Sequence, residues 1–290
     1  MRVNITYHQS SGGRSLHKLT EILSVYSYEY LLDNCSVVRH WSWGGREQRI
    51  IPYDHFLNFT DGDMDPDLPT LEIDRYTKSD VNNWWGLSHE KFVTVKEEIE
   101  EFVASNDGDV NIVFRHLSSV QPHQVYNWYN KGLIDSDIYT EKLMPKLRSI
   151  FDCEAYERLE QIAIHVRRGD MYHQLVGAGK APSNTEYAEI IKMLTAKYDL
   201  PVVIYTETGN SEDLDELAAD DVTVCRGTKH DTKRDFYNMA RSRVLVPSCE
   251  SAYSSWAALL STDAVGLLRS CFLKNLQFDT PPANMFEISL

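Results

Sequence analysis

Short apolar runs alternate with polar segments of helical length through the second half of the chain. The apolar runs are QIAIHV, PVVIYT, VTVC, VLVP and AVGLL. Between them, apolar residues recur at helical spacing over about 185–198 and 235–241, an acidic helix is predicted about Leu214, and another begins near Ser251. Buried strands separated by helices are typical of a parallel sheet that is covered on both faces. The pattern therefore predicts an α/β domain over residues 156–290.

The first half opens with the same pattern. Val3 to Tyr7 predicts a strand, and a glycine-containing turn leads to apolar residues at helical spacing between Leu16 and Tyr30. Cys35 to Val38 predicts the returning strand. Such a β-turn-α-β succession starts a parallel α/β domain, because the crossover helix packs back on the sheet. The predicted fold class is therefore α/β with two Rossmann-like domains, residues 1–155 and 156–290.

The pattern is weaker between residues 41 and 156. Residues 41–90 are rich in aromatic residues, glycine, proline and aspartate and show only fragments of periodicity, so we predict irregular, acceptor-facing structure. Phe92 to Val103 predicts an amphipathic helix with an acidic face, and Val110 to Phe114 predicts a strand. Mostly helical segments follow as far as Tyr156.

The charge balance limits the partners of this protein. Its 290 residues include 29 Lys and Arg against 43 Asp and Glu, which gives a formal net charge of −14. Such an acidic chain does not hold nucleic acid or anionic lipid through a general basic field, so any polyanionic group must be bound locally. One basic island interrupts the acidic background, and its members are Arg226, Lys229, Lys233, Arg234, Arg241 and Arg243.

Cysteine usage and hydropathy favour an intracellular protein. The five cysteines are scattered and form no C-x-x-C pair, which argues against a disulfide framework and against a zinc site. The N-terminal segment MRVNITYHQSSGGRS lacks the apolar core of a signal peptide, and no apolar run reaches the ~18 residues that a bilayer span requires. We therefore expect a cytoplasmic protein without a membrane span.

An arginine pair follows the first apolar run of the second domain, in the sequence His165-Val-Arg167-Arg168-Gly169-Asp170. Ligands of open parallel sheets bind outside the carboxyl ends of the strands, and guanidinium groups make bidentate contacts with phosphate. The motif therefore predicts a phosphate site, in which Gly169 lets the backbone approach the ligand and Asp170 orients an arginine. The alternative is an Arg/Asp ion-pair cluster that merely ends the strand.

A serine-rich turn follows the run VLVP and opens an apolar helix, in the sequence Ser248-Cys-Glu-Ser251-Ala-Tyr253-Ser254-Ser-Trp256. Backbone N–H groups and hydroxyls converge at such a helix N-terminus, which makes it a site for an anion. The alternative is that Ser251 and Ser254 are ordinary N-caps.

Together these segments resemble the fucosyltransferase superfamily with a GT-B fold, and most closely the α-1,2-fucosyltransferases. The H-x-R-R-G-D motif of that family appears as residues 165–170, and its S-F-S-x-W-A-A-x-L block appears as residues 251–260. In the family's order between them lie Ser183-Asn-Thr-Glu-Tyr187, the run PVVIYTE and Lys233-Arg-Asp235-Phe. The resemblance covers about 161–270 and implies two domains that face each other across a cleft.

The resemblance implies a role for each matching residue. Arg167 grips the pyrophosphate of the donor, supported by Arg168 and Asp170, and we count Arg167 and Asp170 as the catalytic candidates. His165 and Asp235 lie near the nucleoside, while Ser251, Tyr253 and Ser254 close on the phosphates. In the first domain the family has a G-x-G-N-Q or G-x-G-N-R turn, and this chain has Gly12, Gly13 and Arg14 without the asparagine.

The resemblance further implies an inverting, metal-independent glycosyltransferase that moves L-fucose from GDP-fucose to a hydroxyl of a glycan acceptor. Its partners are then a nucleotide-sugar donor and an oligosaccharide, with no cofactor and no metal. Inversion requires a base or a proton path opposite the leaving group. The base is unassigned, and its candidates are His8, Asp63, Asp65 and Glu207.

Several alternatives stay open. The same fold can use another nucleotide sugar, for example UDP-xylose, or the protein can be a glycan- or nucleotide-binding module without turnover. The run Asp61-Gly-Asp63-Met-Asp65-Pro-Asp67 contains the D-x-D pattern of metal-dependent glycosyltransferases, although a solvated acidic loop is the interpretation that we prefer, since acidic turns are common in a chain with 43 acidic residues. In the second domain, a C-terminal tail that returns to the first domain is a further alternative.

Overall fold

Two compact units, Met1–Phe151 and Asp152–Leu290, make up the chain in the computed structural model. The structure describes residues 1–9, 25–43, 64–74, 88–115, 122–150, 157–168, 182–207, 212–228, 231–248, 251–268 and 282–289. In its described part, each unit is built around one wholly parallel sheet with helices. The prediction of an α/β fold with two parallel-sheet domains is therefore confirmed.

The first unit has a four-stranded parallel sheet in the order β2-β1-β4-β3. The strands are β1 (Arg2–Gln9), β2 (Ser36–Trp43), β3 (Thr70–Asp74) and β4 (Val110–Arg115). The helices are α1 (His89–Ala104), α2 (Pro122–Asn130) and α3 (Met144–Ile150), with a 3₁₀ helix at Glu29–Leu32 and a π-helix at Ile138–Leu143.

Aromatic rings form the core of this unit. The ring of Tyr28 stacks on Phe92 of α1 at 4.9 Å between centroids and on Phe114 of β4 at 6.1 Å. Trp128 of α2 extends the stack by packing 5.3 Å from Phe92. Burial of such rings is the main favourable term for docking the helices on the sheet.

The second unit has a six-stranded parallel sheet in the order β10-β9-β8-β5-β6-β7. Its strands are β5 (Leu159–His165), β6 (Val202–Glu207), β7 (Val222–Gly227), β8 (Ser242–Val246), β9 (Ala264–Leu268) and β10 (Met285–Ile288). Its helices are α4 (Asn184–Tyr198), α5 (Thr232–Ala240) and α6 (Ala252–Leu260), with a 3₁₀ helix at Glu212–Leu217. Read from β7, this is the doubly wound order 3-2-1-4-5-6, whose reversal lies between β5 and β8.

Most strands and helices predicted from the sequence are present, with two exceptions. β3 lies inside the segment predicted to be irregular. It was missed because it is an edge strand that pairs with β4 alone, and only Leu71 and Ile73 alternate with polar residues along it. β10 was also missed, and it pairs in parallel with β9. This part of the tail belongs to the second sheet. Most of the helix predicted between Leu16 and Tyr30 lies outside the described residues.

None of the helices in the described ranges is both long enough and apolar enough to cross a membrane.

Candidate phosphate site at the reversal of the second sheet

The ends of β5 and β8 are joined where the strand order of the second sheet reverses. These two strands pair in parallel, with Ile164 opposite Val246. Just beyond them, the backbone N–H of Arg167 donates a hydrogen bond to Oγ of Ser248 over 3.1 Å. A reversal of this kind leaves a crevice outside the carboxyl ends of the strands, which is where doubly wound sheets bind ligands. Arg167 is therefore held at the edge of the sheet where a ligand is expected.

Three buried serines continue this connection to the N-terminus of α6. The N–H of Ser248 donates to Oγ of Ser254 over 3.1 Å, and the N–H of Ser254 donates to Oγ of Ser251 over 3.4 Å. Ser251 is the N-cap of α6, so the N-cap interpretation is correct for it, whereas Ser254 lies inside the helix. The first N–H groups and the positive end of the helix dipole are thereby fixed beside the end of β5, an arrangement that favours an anion.

Arg168 points into the protein and is structural. Its side chain is 1% exposed, and its Nη2 donates to Oδ1 of Asn184 at 2.6 Å. Its Nε lies 3.3 Å from Oδ2 of Asp213, and its guanidinium lies 5.8 Å from the centroid of the Tyr187 ring. The ion-pair interpretation of the motif therefore holds for Arg168, with Asp213 as the partner. Arg168 connects the end of β5 to the start of α4 and to the 3₁₀ helix.

His165 and Tyr253 form an uncharged aromatic wall next to Arg167. Their rings meet edge to face at 5.6 Å, and Phe236 of α5 packs 5.5 Å from Tyr253. The hydroxyl of Tyr253 donates to the carbonyl oxygen of Thr232, which ties α6 to α5. Burial, and secondarily the charge of Arg167, lower the pKa of His165 to about 3, so this imidazole is neutral at physiological pH. Its Nδ1 is buried with no hydrogen-bond partner among the described residues.

Asp235 is a buried carboxylate that packs against the end of β7. Nε and Nη2 of Arg234 donate to its Oδ1 over 3.1 and 3.0 Å. Burial raises the pKa of Asp235, and the neighbouring Arg234 partly opposes that rise. A Cβ atom at Gly227 would lie only 2.3 Å from Oδ2 of Asp235, so a larger residue there would require this carboxylate to move.

The basic island does not form one positive patch at this site. Arg226 pairs with Asp215 at 2.7 Å, and Arg234 pairs with Asp231 at 2.9 Å as well as with Asp235. Arg241 and Arg243 lie at the beginning of β8, which is the edge of the sheet opposite to Arg167. Lys229 lies outside the described residues. Acids therefore neutralise some members of the island, and the strand direction separates others from Arg167.

The other sequence candidates are spread over the chain. Gly12, Gly13, Arg14, Asp63 and Asp170 lie outside the described residues, as do Gly169 and Asp61. The backbone of His8 is part of β1, opposite Arg115 of β4, and its side chain is not among those described.

Two candidates for the base can be placed. Oδ1 of Asp65 accepts the N–H of Asp67 over 3.0 Å, and the Asp65 carbonyl oxygen accepts Nδ2 of Asn111 over 2.7 Å. Asp65 is therefore a turn residue that leads into β3. Glu207 is exposed at the carboxyl end of β6, the strand next to β5. Within the described ranges, no group of three His, Cys, Asp or Glu side chains is arranged to hold a metal ion.

Asp213, Asn184 and Gly227 are the structural partners that the sequence interpretation missed. Ser183 and Glu186 form a capping box at the start of α4, and this S-x-x-E signal places Asn184 at the first turn. No sequence signal pairs Asp213 with Arg168, because Asp213 is one of many acids in an acidic run.

No protein-family model matches the sequence, and no curated protein matches it either. Among solved structures, the chain is similar to POFUT1 in complex with GDP, with 11% identity, a TM-score of 0.46, and coverage of 91% of this chain and 98% of that chain. It is also similar to an ADP-heptose lps heptosyltransferase II from E. coli, with 13% identity, a TM-score of 0.44, and coverage of 100% and 91%. The E. coli heptosyltransferase WaaC with ADP gives 12% identity, a TM-score of 0.43, and coverage of 99% and 90%. Likenesses this remote do not assign an activity to the chain.

Proposed function

We propose that this protein is a glycosyltransferase that uses a nucleotide-sugar donor, whose diphosphate binds at the reversal of the second sheet. The observation that carries the proposal is the hydrogen bond from the Arg167 N–H to Ser248 Oγ. This bond brings an arginine and a helix N-terminus to the same crevice. Both groups favour anions, and the crevice lies where doubly wound sheets bind nucleotides.

The arrangement suits departure of a nucleoside diphosphate. In glycosyl transfer from such a donor, negative charge grows on the departing phosphate while the sugar carbon becomes oxocarbenium-like. In our proposal Arg167 and the first N–H groups of α6 contact that phosphate, and both strengthen their interaction as the charge grows. Groups that bind the transition state better than the ground state accelerate the reaction. Since they are already held by Ser248, Ser251 and Ser254, they need little rearrangement.

The nucleoside lies, in this proposal, along the wall formed by His165 and Tyr253. Because His165 is neutral, the wall adds no charge that would compete with the phosphate site. The buried Nδ1 of His165 offers a hydrogen bond to a base or ribose. The carboxylate of Asp235 lies below the same wall and accepts hydrogen bonds from ring N–H groups.

The donor that we propose is GDP-fucose, and the acceptor is a hydroxyl of a glycan. The support is the resemblance of residues 165–170 and 251–260 to the α-1,2-fucosyltransferase motifs. Transfer proceeds with inversion and without a metal. Glu207 is the described base candidate at the same edge of the sheet as Arg167, on the neighbouring strand. We assign no base.

Calorimetric titration of the protein tests the donor. The ligands are GDP, GDP-fucose, UDP and UDP-xylose, each with and without EDTA, and transfer of fucose to a panel of oligosaccharides is followed chromatographically. We expect GDP and GDP-fucose to bind whether or not EDTA is present. Arg167→Ala should weaken GDP binding by about 10- to 100-fold, the value of charge-assisted hydrogen bonds to one arginine. The matched control is Arg2→Ala, which removes a half-exposed arginine 3.7 Å from Asp109 in the first unit.

The other outcomes point to specific alternatives. UDP binding that disappears with EDTA would support a D-x-D enzyme, and metal-free UDP-xylose binding would support the same site with another donor. GDP binding without hydrolysis or transfer would support a binding module. If Arg167→Ala binds GDP as tightly as the wild type does, the diphosphate does not bind at the site described here.

A further inference from the structure

A cavity of about 360 Å³ lies at the edge of the second sheet opposite to Arg167. Its lining residues are Tyr198, Arg243, Thr262, Asp263, Ala264, Ala283, Asn284, Met285 and Phe286. They come from the end of α4 and from the amino ends of β8, β9 and β10. Because these strands are parallel, their amino ends share one edge of the sheet, and the phosphate site occupies the other. The cavity is therefore a separate feature of the second unit.

One wall of the cavity is aromatic. The rings of Tyr198 and Phe286 lie 6.5 Å apart between centroids and are tilted by 40°. The ammonium of Lys197 lies 4.9 Å from the first centroid and 4.7 Å from the second, a cation–π arrangement that fixes both rings. Two aromatic rings at the wall of a cavity offer apolar contact area to the body of a ring-shaped ligand.

The opposite wall is polar and rigid. Nδ2 of Asn284 donates to the carbonyl oxygens of Asp263 and Ser261, over 2.9 and 3.3 Å, while the Asn284 carbonyl oxygen accepts the N–H of Val265 over 2.9 Å. These bonds join the segment before β10 to the segment before β9. The wall is therefore formed before any ligand arrives, which lowers the cost of binding.

The charged residues that line this cavity are Arg243 and Asp263, and Arg158, Glu160 and Lys197 lie beside them. Oδ1 of Asp263 is held by Nη2 of Arg158 at 2.6 Å, and Nη1 of Arg243 lies 3.9 Å from the same oxygen. Nε of Arg158 also lies 3.6 Å from Oε1 of Glu160, and the ammonium of Lys197 lies beside the aromatic wall. Three cations are therefore balanced by two carboxylates. The Arg243 side chain is 44% exposed, and its ion pair is long. Arg243 can therefore turn its planar fork to an incoming anion.

We propose that this cavity binds a small organic phosphate with a ring-shaped body, a sugar phosphate in chemical class. Arg243 binds the phosphate group, and the ring contacts Tyr198 and Phe286. In a chain with a net charge of −14, an anion site needs such a local excess of cations. The site is independent of the glycosyltransferase assignment, since it shares no residue with the reversal of the sheet.

Titration with glucose 1-phosphate tests the proposal, with glucose and inorganic phosphate as the two partial probes. We expect glucose 1-phosphate to bind more tightly than either of them. Arg243→Gln should weaken its binding by at least about tenfold, because the bidentate charge-assisted contact is lost. Arg243→Lys keeps the positive charge but loses the planar fork. Its affinity for glucose 1-phosphate should therefore lie between those of the wild type and Arg243→Gln. Arg2→Gln is the matched control for the loss of one exposed arginine.

The opposite results are equally clear. Unchanged affinity in Arg243→Gln, with thermal unfolding like that of the wild type, would overturn the proposal. Loss of binding in Arg167→Ala would also overturn it, since the probe would then occupy the reversal of the sheet. If inorganic phosphate binds as tightly as glucose 1-phosphate, the aromatic wall does not contribute to binding, and the proposal of a ring-shaped ligand is wrong. These measurements do not depend on the GDP titration described under the proposed function. If GDP fails to bind there, the test of this cavity is unchanged.

Discussion

The backbone N–H of Arg167 donates to the hydroxyl oxygen of Ser248 over 3.1 Å, although the two residues are 81 positions apart in the sequence. Through this bond the loop after β5 is fixed to the turn that begins α6. The bond uses the main chain of Arg167 and not its guanidinium. Arg167→Ala therefore retains this connection between the two loops.

Replacing Ser248 by alanine should destabilise the second unit. The Arg167 N–H then loses its acceptor in a part-buried position, and such a loss costs about 1–2 kcal/mol. The control is Ser105→Ala at the end of α1, where an exposed hydroxyl donates to the Glu101 carbonyl oxygen, and there the free energy of unfolding should change by less than about 0.5 kcal/mol. Urea unfolding of both variants measures the difference, and equal losses would contradict the role of Ser248.

Arg168 and Arg226 offer a matched comparison, since each pairs with an aspartate of the same 3₁₀ helix. Arg168 is 1% exposed against Asp213, whereas Arg226 and Asp215 are 30% and 66% exposed. Arg168→Met should lower the free energy of unfolding by about 2–4 kcal/mol, because it leaves Asn184 and Asp213 without their partner. Arg226→Met should cost less than about 1 kcal/mol, as exposed ion pairs do. Similar losses in the two variants would mean that burial of Arg168 does not matter.

Gly227→Ala should displace the buried carboxylate of Asp235. The added Cβ would meet Oδ2 of Asp235 at 2.3 Å, and overpacking of this kind costs about 1–3 kcal/mol. Gly108→Ala is the control, because a Cβ there meets no atom within 4 Å. The double variant Gly227→Ala/Asp235→Ala should recover part of the loss in a double-mutant cycle. Additive losses would show that the two residues do not interact.

The stability of the protein should fall in mild acid through His165. Its folded pKa of about 3 lies below the unfolded value near 6.5, so the unfolded chain takes up the proton first as the pH decreases. The resulting loss develops between about pH 6.5 and pH 3, with a slope of at most about 1.4 kcal/mol per pH unit.

His165→Gln should lack this contribution, so the difference in unfolding free energy between wild type and variant should shrink from pH 7 to pH 5. Urea unfolding at pH 7, 6 and 5 measures that difference, and all other titrating groups contribute equally to both proteins. A difference that is independent of pH would contradict the lowered pKa of His165.

Much of the second unit follows from the sequence because its signals are local. Strands β5 to β9 contain short apolar runs, most of them β-branched, and helices α4 to α6 have periodic apolar residues. The capping serines Ser183 and Ser251 mark the beginnings of α4 and α6. The motif at residues 165–170 also places Arg167 directly after β5, at the edge where ligands bind. In the first unit β3 was not predicted, since the hydrophobic pattern of an edge strand with alternating polar residues is too weak.

By itself, the sequence determined most of the strands and helices of the second unit, their parallel direction and the position of the arginine pair, but it missed β3 and β10. Only the tertiary structure decided that β8 lies beside β5, and therefore that Ser248 holds the Arg167 N–H. It likewise decided that Arg168 turns inward to Asp213 and that Arg243 lies at the opposite edge of the sheet from Arg167. The reason is physical: strand neighbours are chosen by how the crossover helices bury their apolar faces, and that choice is a property of the whole unit and of no local segment.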